Sequence, residues 1–178
     1  MVPAHPACPK PFLAASVTLK GAVKKQGVNM AINEFCHRDV VCATRETTVT
    51  EAANLMRQHH IGDVIIVETR GGKQIPVGIV TDRDIVVEVI APGIDPRLLK
   101  LGDLRLAPLV MVDEDASYAE TVSRMSAEGV RRMPVVGDDG ALAGIITLDD
   151  MLWQLAAPLA ALAGLSGRGR ELETLTRK

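Results

Sequence analysis

Two short motifs in this sequence place a threonine three residues before an aspartate, directly after an apolar run. Thr81 and Asp84 belong to the segment GIVTDRD, and Thr147 and Asp150 belong to the segment GIITLDD. A threonine hydroxyl and the unpaired amides of a helix start can bind a phosphate. A carboxylate can accept hydrogen bonds from both hydroxyls of a ribose, each worth about 1.5–3 kcal/mol. The spacing therefore suits a sugar phosphate, and it equally suits a helix-capping box that needs no ligand.

Three arginines are candidates for contacting the phosphate of such a ligand. Arg131 and Arg132 precede an apolar segment, and Arg83 lies inside the first motif. Because neighbouring residues of a strand point to opposite faces, only one of Arg131 and Arg132 is expected to face a given pocket. The alternative is a solvated strand end. The first half has Gly62 and Asp63 at the matching positions, so we expect two unequal sites, with Gly62 leaving room for a close approach.

Both motifs are parts of an internal repeat. An offset of 69 residues aligns Thr48 and Glu51 with Ser117 and Glu120, and an offset of 66 residues aligns the two Thr-x-x-Asp motifs. The change of offset falls between two turn sequences, ETRGGK and GDDG, where a change of length costs little. Because each copy has only about 60 residues, it buries little surface alone. We therefore expect the copies to pack sheet against sheet, with a cleft suited to a small molecule between them.

The predicted elements follow the same order in both copies. A short apolar strand leads to a helix that begins with a capping box, followed by a hairpin of two strands and a last helix. The strands are predicted at 40–43, 64–67 and 75–80 in the first copy and at 109–112, 133–136 and 142–146 in the second. The last helices are predicted at 82–90 and from 148 to about 157.

The repeated pattern Gly-apolar-apolar-Thr-x-x-Asp, between a last strand and a last helix, resembles the signature of the CBS domain. The segment GVRRMPVV, which begins at Gly129, is similar to that family's middle strand. The resemblance implies an α/β fold in which two pseudo-symmetric β-α-β-β-α units, residues 32–93 and 101–161, pack sheet to sheet as one Bateman module. It also implies a regulatory module that senses an adenine nucleotide in the cleft and signals by conformational or oligomeric change.

The same resemblance suggests the ligand and its contacts. The ligand would be AMP, ADP or ATP, with NADH and S-adenosylmethionine as second choices and Mg²⁺ only as the companion of a polyphosphate. Adenine would lie against apolar residues that, taken singly, equally suit plain core packing. The candidate nucleotide-binding residues are Thr81, Arg83, Asp84, Thr147, Asp150, Arg131, Arg132, Val41, Ile61, Gly62, Val110 and Val130. The alternative function is an interaction scaffold whose cleft is filled by side chains and binds no nucleotide.

Composition excludes several other classes of function. A net charge of −2 over 178 residues and an aromatic content of 2% argue against nucleic-acid binding by bulk charge or base stacking. The longest apolar runs are too short for a membrane span. The three cysteines and four histidines lack metal-ligand spacing, and no catalytic motif is present, so we predict neither a metal site nor an enzyme. The cysteines fit a reducing cytoplasm.

The two ends of the chain differ from the repeated body. Residues 1–31 contain lysines and prolines but no acidic residue, which predicts a basic, disordered leader, with a targeting or interaction arm as the alternative. Residues 151–165 are apolar almost all round and are interrupted by Pro158. Such a surface must be covered, and we predict a homodimer contact, with burial against its own module as the alternative. Residues 162–178 are predicted to be a polar tail, and the regulated protein is not identified by the sequence.

Overall fold

The structure, a computed structural model, describes residues 30–176, so all but the last two residues of the predicted leader lie outside the described residues. Two units follow one another along the chain. The first unit consists of β1 (Cys42–Ala43), α1 (Val49–His59), β2 (Asp63–Arg70), β3 (Lys73–Thr81) and α2 (Asp82–Ile85), which continues as a π-helical turn (Val86–Ile90). The second unit consists of β4 (Val112–Asp113), α3 (Tyr118–Glu128), β5 (Arg132–Val136), β6 (Leu142–Thr147) and α4 (Leu148–Thr176).

Each unit contains one three-stranded sheet with the same topology. The strand orders are β1-β2-β3 and β4-β5-β6, with the first pair parallel and the second antiparallel in both sheets. Pairing in the first hairpin extends beyond the predicted strands, because Gly71 and Gly72 adopt the positive φ of 58° and 80° that a tight turn requires. The predicted α/β fold with two repeated units is confirmed.

The helices α1 and α3 begin with the predicted capping boxes. Thr48 Oγ1 accepts a hydrogen bond from Glu51 N at 3.2 Å, and Thr48 N donates to Glu51 Oε2 at 2.8 Å. Ser117 and Glu120 repeat this arrangement at 3.3 and 2.8 Å. The backbone hydrogen bond lowers the pKa of both glutamates. Local sequence therefore fixes where these helices begin.

The hydrophobic core of each unit is completed by the segment of chain that precedes the other unit. Residues 30–37 lie on the second unit, and residues 99–106 lie on the first. Ile32 is fully buried in the second core, and Leu101 is 1% exposed in the first core. We call residues 30–37 and 99–106 the reciprocal segments. The sequence analysis did not predict them.

The reciprocal segments make the same backbone hydrogen bonds at corresponding positions. Ile32 N donates to Ala116 O at 3.0 Å, and Leu101 N donates to Thr47 O at 2.8 Å. Both segments also form an antiparallel bridge with the first residue of a capping box. Each reciprocal segment therefore binds to the other unit through backbone hydrogen bonds as well as through buried side chains.

The units also meet along a seam, which we define as the contact between β2–β3 of the first unit and β5–β6 of the second. Strand β3 lies against β6, and Arg132 at the start of β5 forms an ion pair with Asp63 at the start of β2. Lys73 and Asp139 form a second ion pair between the two hairpin turns. Two ion pairs, Asp63–Arg132 and Lys73–Asp139, thus connect the two units.

The last helix is longer than predicted. We predicted an end near residue 157 and a polar tail over residues 162–178, but α4 continues through Pro158 to Thr176. A proline removes one backbone donor. Alanine and leucine, which have the highest helix propensities, flank Pro158 and support the helix on both sides of it. None of the helices among the described residues has both the length and the hydropathy needed to cross a membrane.

Candidate functional site

Both Thr-x-x-Asp motifs form capping boxes at the junction of a strand and a helix. Thr81 N and Thr81 Oγ1 donate to Asp84 Oδ2 at 2.8 and 2.7 Å, and Asp84 N donates to Thr81 Oγ1 at 3.2 Å. Thr147 and Asp150 make the same three bonds at 2.8, 2.7 and 3.3 Å. Each aspartate uses only Oδ2 for the cap. The other carboxylate oxygen, Oδ1, is not needed to start the helix.

The two Oδ1 atoms have different surroundings. Asp150 Oδ1 accepts a hydrogen bond from His37 Nε2 at 2.7 Å. Within residues 30–176, Asp84 Oδ1 has no hydrogen-bond partner. The sequence predicts two unequal sites because of Gly62 and Asp63, but it does not single out His37. The two motifs therefore differ in the acceptor that they offer to a ligand.

Arg132 lies in the seam, where its charge is already compensated. Its Nη1 donates to Asp63 Oδ1 at 2.7 Å, and the side chains are 31% and 12% exposed. Burial raises the pKa of Asp63, with Asp82 adding to the rise and Arg132 partly opposing it. Asp63 and Arg132 occupy corresponding positions of the repeat, so the seam pairs one unit's residue with its counterpart. A phosphate would have to compete with Asp63 for Arg132.

Gly62 lies beside this ion pair. A Cβ atom at Gly62 would lie 3.4 Å from Asp82 Oδ2 and 3.6 Å from Arg132 Nη1. The amide of Asp82 also donates to the carbonyl of Gly62 at 3.0 Å, which holds the start of α2 against the start of β2. Both Cβ distances are ordinary van der Waals contacts, so the packing at this position would also accommodate a small side chain.

The remaining predicted arginines do not lie in the seam contact. Arg131 is exposed and lines a surface depression of about 280 Å³, together with Val130, Leu148 and Met151. Arg83 is exposed at the start of α2. The structure therefore places Arg131 and Arg132 on different surfaces, as strand alternation requires.

The predicted apolar slots have different outcomes in the two units. Val41 and Ile61 line one cavity of about 60 Å³, although both also pack against the first core. Val110 and Val130 pack against the second core. The lining of the 60 Å³ cavity, which we call the seam cavity, is Asp39, Val40, Val41, Ile61, Asp63 and Ile65 from the first unit and its leading chain, and Ile145 from the second.

The seam cavity is small for a ligand. A volume of about 60 Å³ compares with about 30 Å³ for one water molecule in the liquid and with about 300 Å³ or more for typical ligand pockets. Its walls are mainly branched apolar side chains, and Asp39 and Asp63 supply the polar side. The seam is therefore closed in this conformation.

Three exposed aspartates of the second unit come nearest to a cation-binding set among the described residues. One oxygen from each of Asp113, Asp115 and Asp138 lies within 4.8 Å of the others. Asp113 Oδ1 accepts from Asp115 N at 2.9 Å, and Asp115 Oδ1 accepts from Asn33 Nδ2 at 3.2 Å. Two of the three carboxylates thus already serve as hydrogen-bond acceptors of the surrounding chain.

Comparison with known proteins agrees with the repeated architecture. The family model of the CBS domain matches residues 32–91 and 101–157. The chain is 38% identical over 124 residues to the uncharacterized protein MK0525 of Methanopyrus kandleri, covering 70% of this chain and only 62% of that protein. It is 38% identical over 118 residues to Hypoxic response protein 1 of Mycobacterium tuberculosis, covering 66% of this chain and 80% of that protein.

Solved structures share this architecture. Hypoxic Response Protein I, solved with two coordinated zinc ions, matches with a TM-score of 0.60 and 33% identity, covering 69% of this chain and 97% of that one. A hexameric CBS-CP12 protein from bloom-forming cyanobacteria matches with a TM-score of 0.61 and 28% identity, covering 69% of each chain.

Proposed function

We propose that this chain, which belongs to the CBS domain family, is a regulatory module that binds an adenosine-containing ligand at the seam. One observation carries the proposal: Asp84 Oδ1, which has no hydrogen-bond partner among residues 30–176, belongs to a motif that adjoins the seam cavity. Thr81 is the strand partner of Asp63, which lines that cavity. An acceptor for ribose hydroxyls and an apolar surface for a base thus come from neighbouring residues.

Each part of an adenine nucleotide has a matching group in this arrangement. The base would pack against Val41 and Ile61, and the ribose hydroxyls would donate to Asp84 Oδ1. The phosphate would replace Asp63 as the partner of Arg132, since a guanidinium binds phosphate and carboxylate oxygens in the same way. AMP, ADP and ATP present all three groups.

Binding requires the seam to open. The cavity of about 60 Å³ is too small for a nucleotide, so β2–β3 and β5–β6 must separate before a base can enter. Separation breaks the Asp63–Arg132 ion pair. A ligand that binds only the open form shifts the population toward that form. This shift is the signal that the module would pass to a regulated protein.

Substitution of Asp84 by asparagine tests the proposed ribose contact. The amide oxygen of Asp84→Asn can still accept from Thr81 N and preserve the cap, while the amide nitrogen replaces Oδ1 with a donor. We expect titration calorimetry with AMP, ADP and ATP to show binding to the natural chain and at least about tenfold weaker binding to Asp84→Asn, since one charge-assisted bond is lost.

A matched control separates capping from ligand binding. Asp103 Oδ2 accepts from Lys100 N at 2.9 Å, as Asp84 Oδ2 accepts from Thr81 N, but Asp103 lies outside the seam. Asp103→Asn should leave nucleotide binding unchanged. Failure of all three nucleotides, NADH and S-adenosylmethionine to bind at millimolar concentration would reject the proposal. The closed seam would then favour the alternative, an interaction scaffold without a nucleotide.

We also propose that α4 mediates self-association as a homodimer. Leu148, Leu152, Leu155, Leu159 and Leu162 recur at spacings of four and three residues, which is the pattern of a coiled-coil seam. The last four of these leucines are 43–61% exposed. A stripe of this kind on a long helix is stabilised when a second copy of the helix covers it.

Charged substitutions test this contact. In sedimentation experiments, Leu155→Lys with Leu159→Lys should convert a dimer to a monomer. Ala161→Lys should leave the dimer intact, because residue 161 lies on the face of α4 opposite the stripe. A natural chain that is monomeric at high concentration would reject the proposal.

A further inference from the structure

The first reciprocal segment carries His37 across the second Thr-x-x-Asp motif. His37 N donates to Ile145 O at 2.9 Å, and Ile145 N donates to His37 O at 2.8 Å, so the backbone is fixed to β6. Gly144 permits this crossing, because a Cβ atom there would lie only 2.7 Å from His37 O. From this anchored position the imidazole reaches Asp150 Oδ1 at 2.7 Å. The backbone bridge between His37 and Ile145 therefore places the imidazole beside Asp150.

Among the described residues, the first motif has neither this contact nor the backbone bridge that supports it, because Leu106 N donates to Leu104 O at 3.1 Å instead of to β3. The residue that corresponds to His37 in the second reciprocal segment is Leu106, which packs against the first core. A leucine side chain cannot donate a hydrogen bond. Asp84 Oδ1 therefore remains free among the described residues, while Asp150 Oδ1 is occupied. The internal repeat supplies its own comparison between an occupied and a free acceptor.

We infer that His37 is an internal competitor for the ribose-binding oxygen of Asp150, so that the first motif takes up ligand before the second. The inference rests on the proposed function. A ribose hydroxyl and the imidazole N–H both donate to the same oxygen, and Asp150 Oδ2 is already used by the cap. Each carboxylate oxygen accepts two hydrogen bonds, so a ribose whose two hydroxyls both donate to Asp150 Oδ1 can bind only after His37 has left it. Release needs only a side-chain rotation, because the backbone bridge to Ile145 can persist.

The expected effect of this competition is modest. The side chain of His37 is 65% exposed and that of Asp150 is 16% exposed, so solvent screens the contact. Exposed contacts of this kind weaken a competing interaction by up to about fivefold, equivalent to about 1 kcal/mol. This is enough to separate two otherwise similar sites by their order of filling.

The test measures the second site alone. ADP is titrated by calorimetry into Asp84→Asn, in which the first site is disabled, and into the double variant Asp84→Asn/His37→Ala. We expect ADP to bind the double variant about fivefold more tightly. Asp84→Asn/His59→Ala is the matched control, because His59 is exposed on α1 and should not affect the second site. Thermal unfolding of each variant checks that the fold is kept.

The outcomes separate the inference from the proposed function. If the natural chain binds no ADP, the proposed function fails and the inference fails with it. If the natural chain binds ADP but the two titrations agree, or if ADP binds Asp84→Asn/His37→Ala more weakly or not at all, only the inference is overturned. Weaker binding would identify His37 as a ligand contact.

Discussion

Truncation of Leu101 should destabilise the first unit, although Leu101 follows that unit in the chain. Leu101 is 1% exposed and packs in the first core with Val49, Ala52 and Met56. Replacing a buried leucine by alanine costs about 2–5 kcal/mol, because transfer energy is lost and a cavity remains. For a protein of this size, a loss of about 3 kcal/mol lowers the Tm by about 6–12 °C.

Amide hydrogen exchange shows where that loss occurs. In Leu101→Ala, we expect protection to fall mainly in α1 and β2, whose side chains pack around residue 101. Ile32→Ala should produce the converse result, with protection lost in α3 and β5, because Ile32 packs in the second core. Leu101→Ala should thus affect the first unit, and Ile32→Ala should affect the second unit.

The control and the refuting result are both clear. Leu98→Ala removes the same atoms three residues away, where the side chain is 81% exposed, and should change stability by less than about 0.5 kcal/mol. If Leu101→Ala loses protection only within residues 107–157, Leu101 does not pack on the first unit. A cost equal to that of Leu98→Ala would refute the buried position of Leu101.

Two further predictions concern charge. Asp63→Asn should lower the Kd for ADP by about tenfold. Removing a negative charge within about 10 Å of a phosphate is worth about 1–2 kcal/mol at an effective dielectric constant of 20. An unchanged affinity in calorimetry would contradict the placement of a phosphate at Arg132. The pKa values of Glu51 and Glu120 are lowered by their caps, so their stabilisation is present above about pH 4.3 and is lost as the pH falls through the lowered values. The Tm should therefore decrease between about pH 5 and pH 3, and Glu51→Gln with Glu120→Gln should flatten this dependence; an equal slope in the double variant would contradict the assignment.

The sequence was most informative where structure depends on neighbouring residues. The capping boxes at Thr48 and Ser117 and the turn at Gly71 need only short-range chemistry, and they were predicted correctly. Comparing the two copies with each other made it possible to predict the order of the strands and helices as well. The repeat therefore indicated the order of strands and helices within each unit, which neighbouring residues alone do not determine.

Contacts between the units were harder to predict. Ile32 and Leu101 lie in segments without apolar periodicity, so no local pattern marks them as core residues. The Asp63–Arg132 pair could have been predicted, because the two residues occupy equivalent positions of the repeat. When two similar units pack about a pseudo-two-fold axis, equivalent positions near that axis come into contact. The contact of His37 with Asp150 had no comparable signal, because it depends on the path of the first reciprocal segment.

If the module binds a nucleotide as proposed, the closed seam cavity would also limit how quickly it responds. Under the proposed function, a nucleotide would reach the walls of the cavity only in those molecules whose Asp63–Arg132 pair has already separated. In stopped-flow mixing, the observed rate would then level off at high nucleotide concentration, at the rate constant of opening. The apparent Kd would rise in inverse proportion to the open fraction. One ion pair would therefore set both the delay of the proposed response and the nucleotide concentration at which it begins.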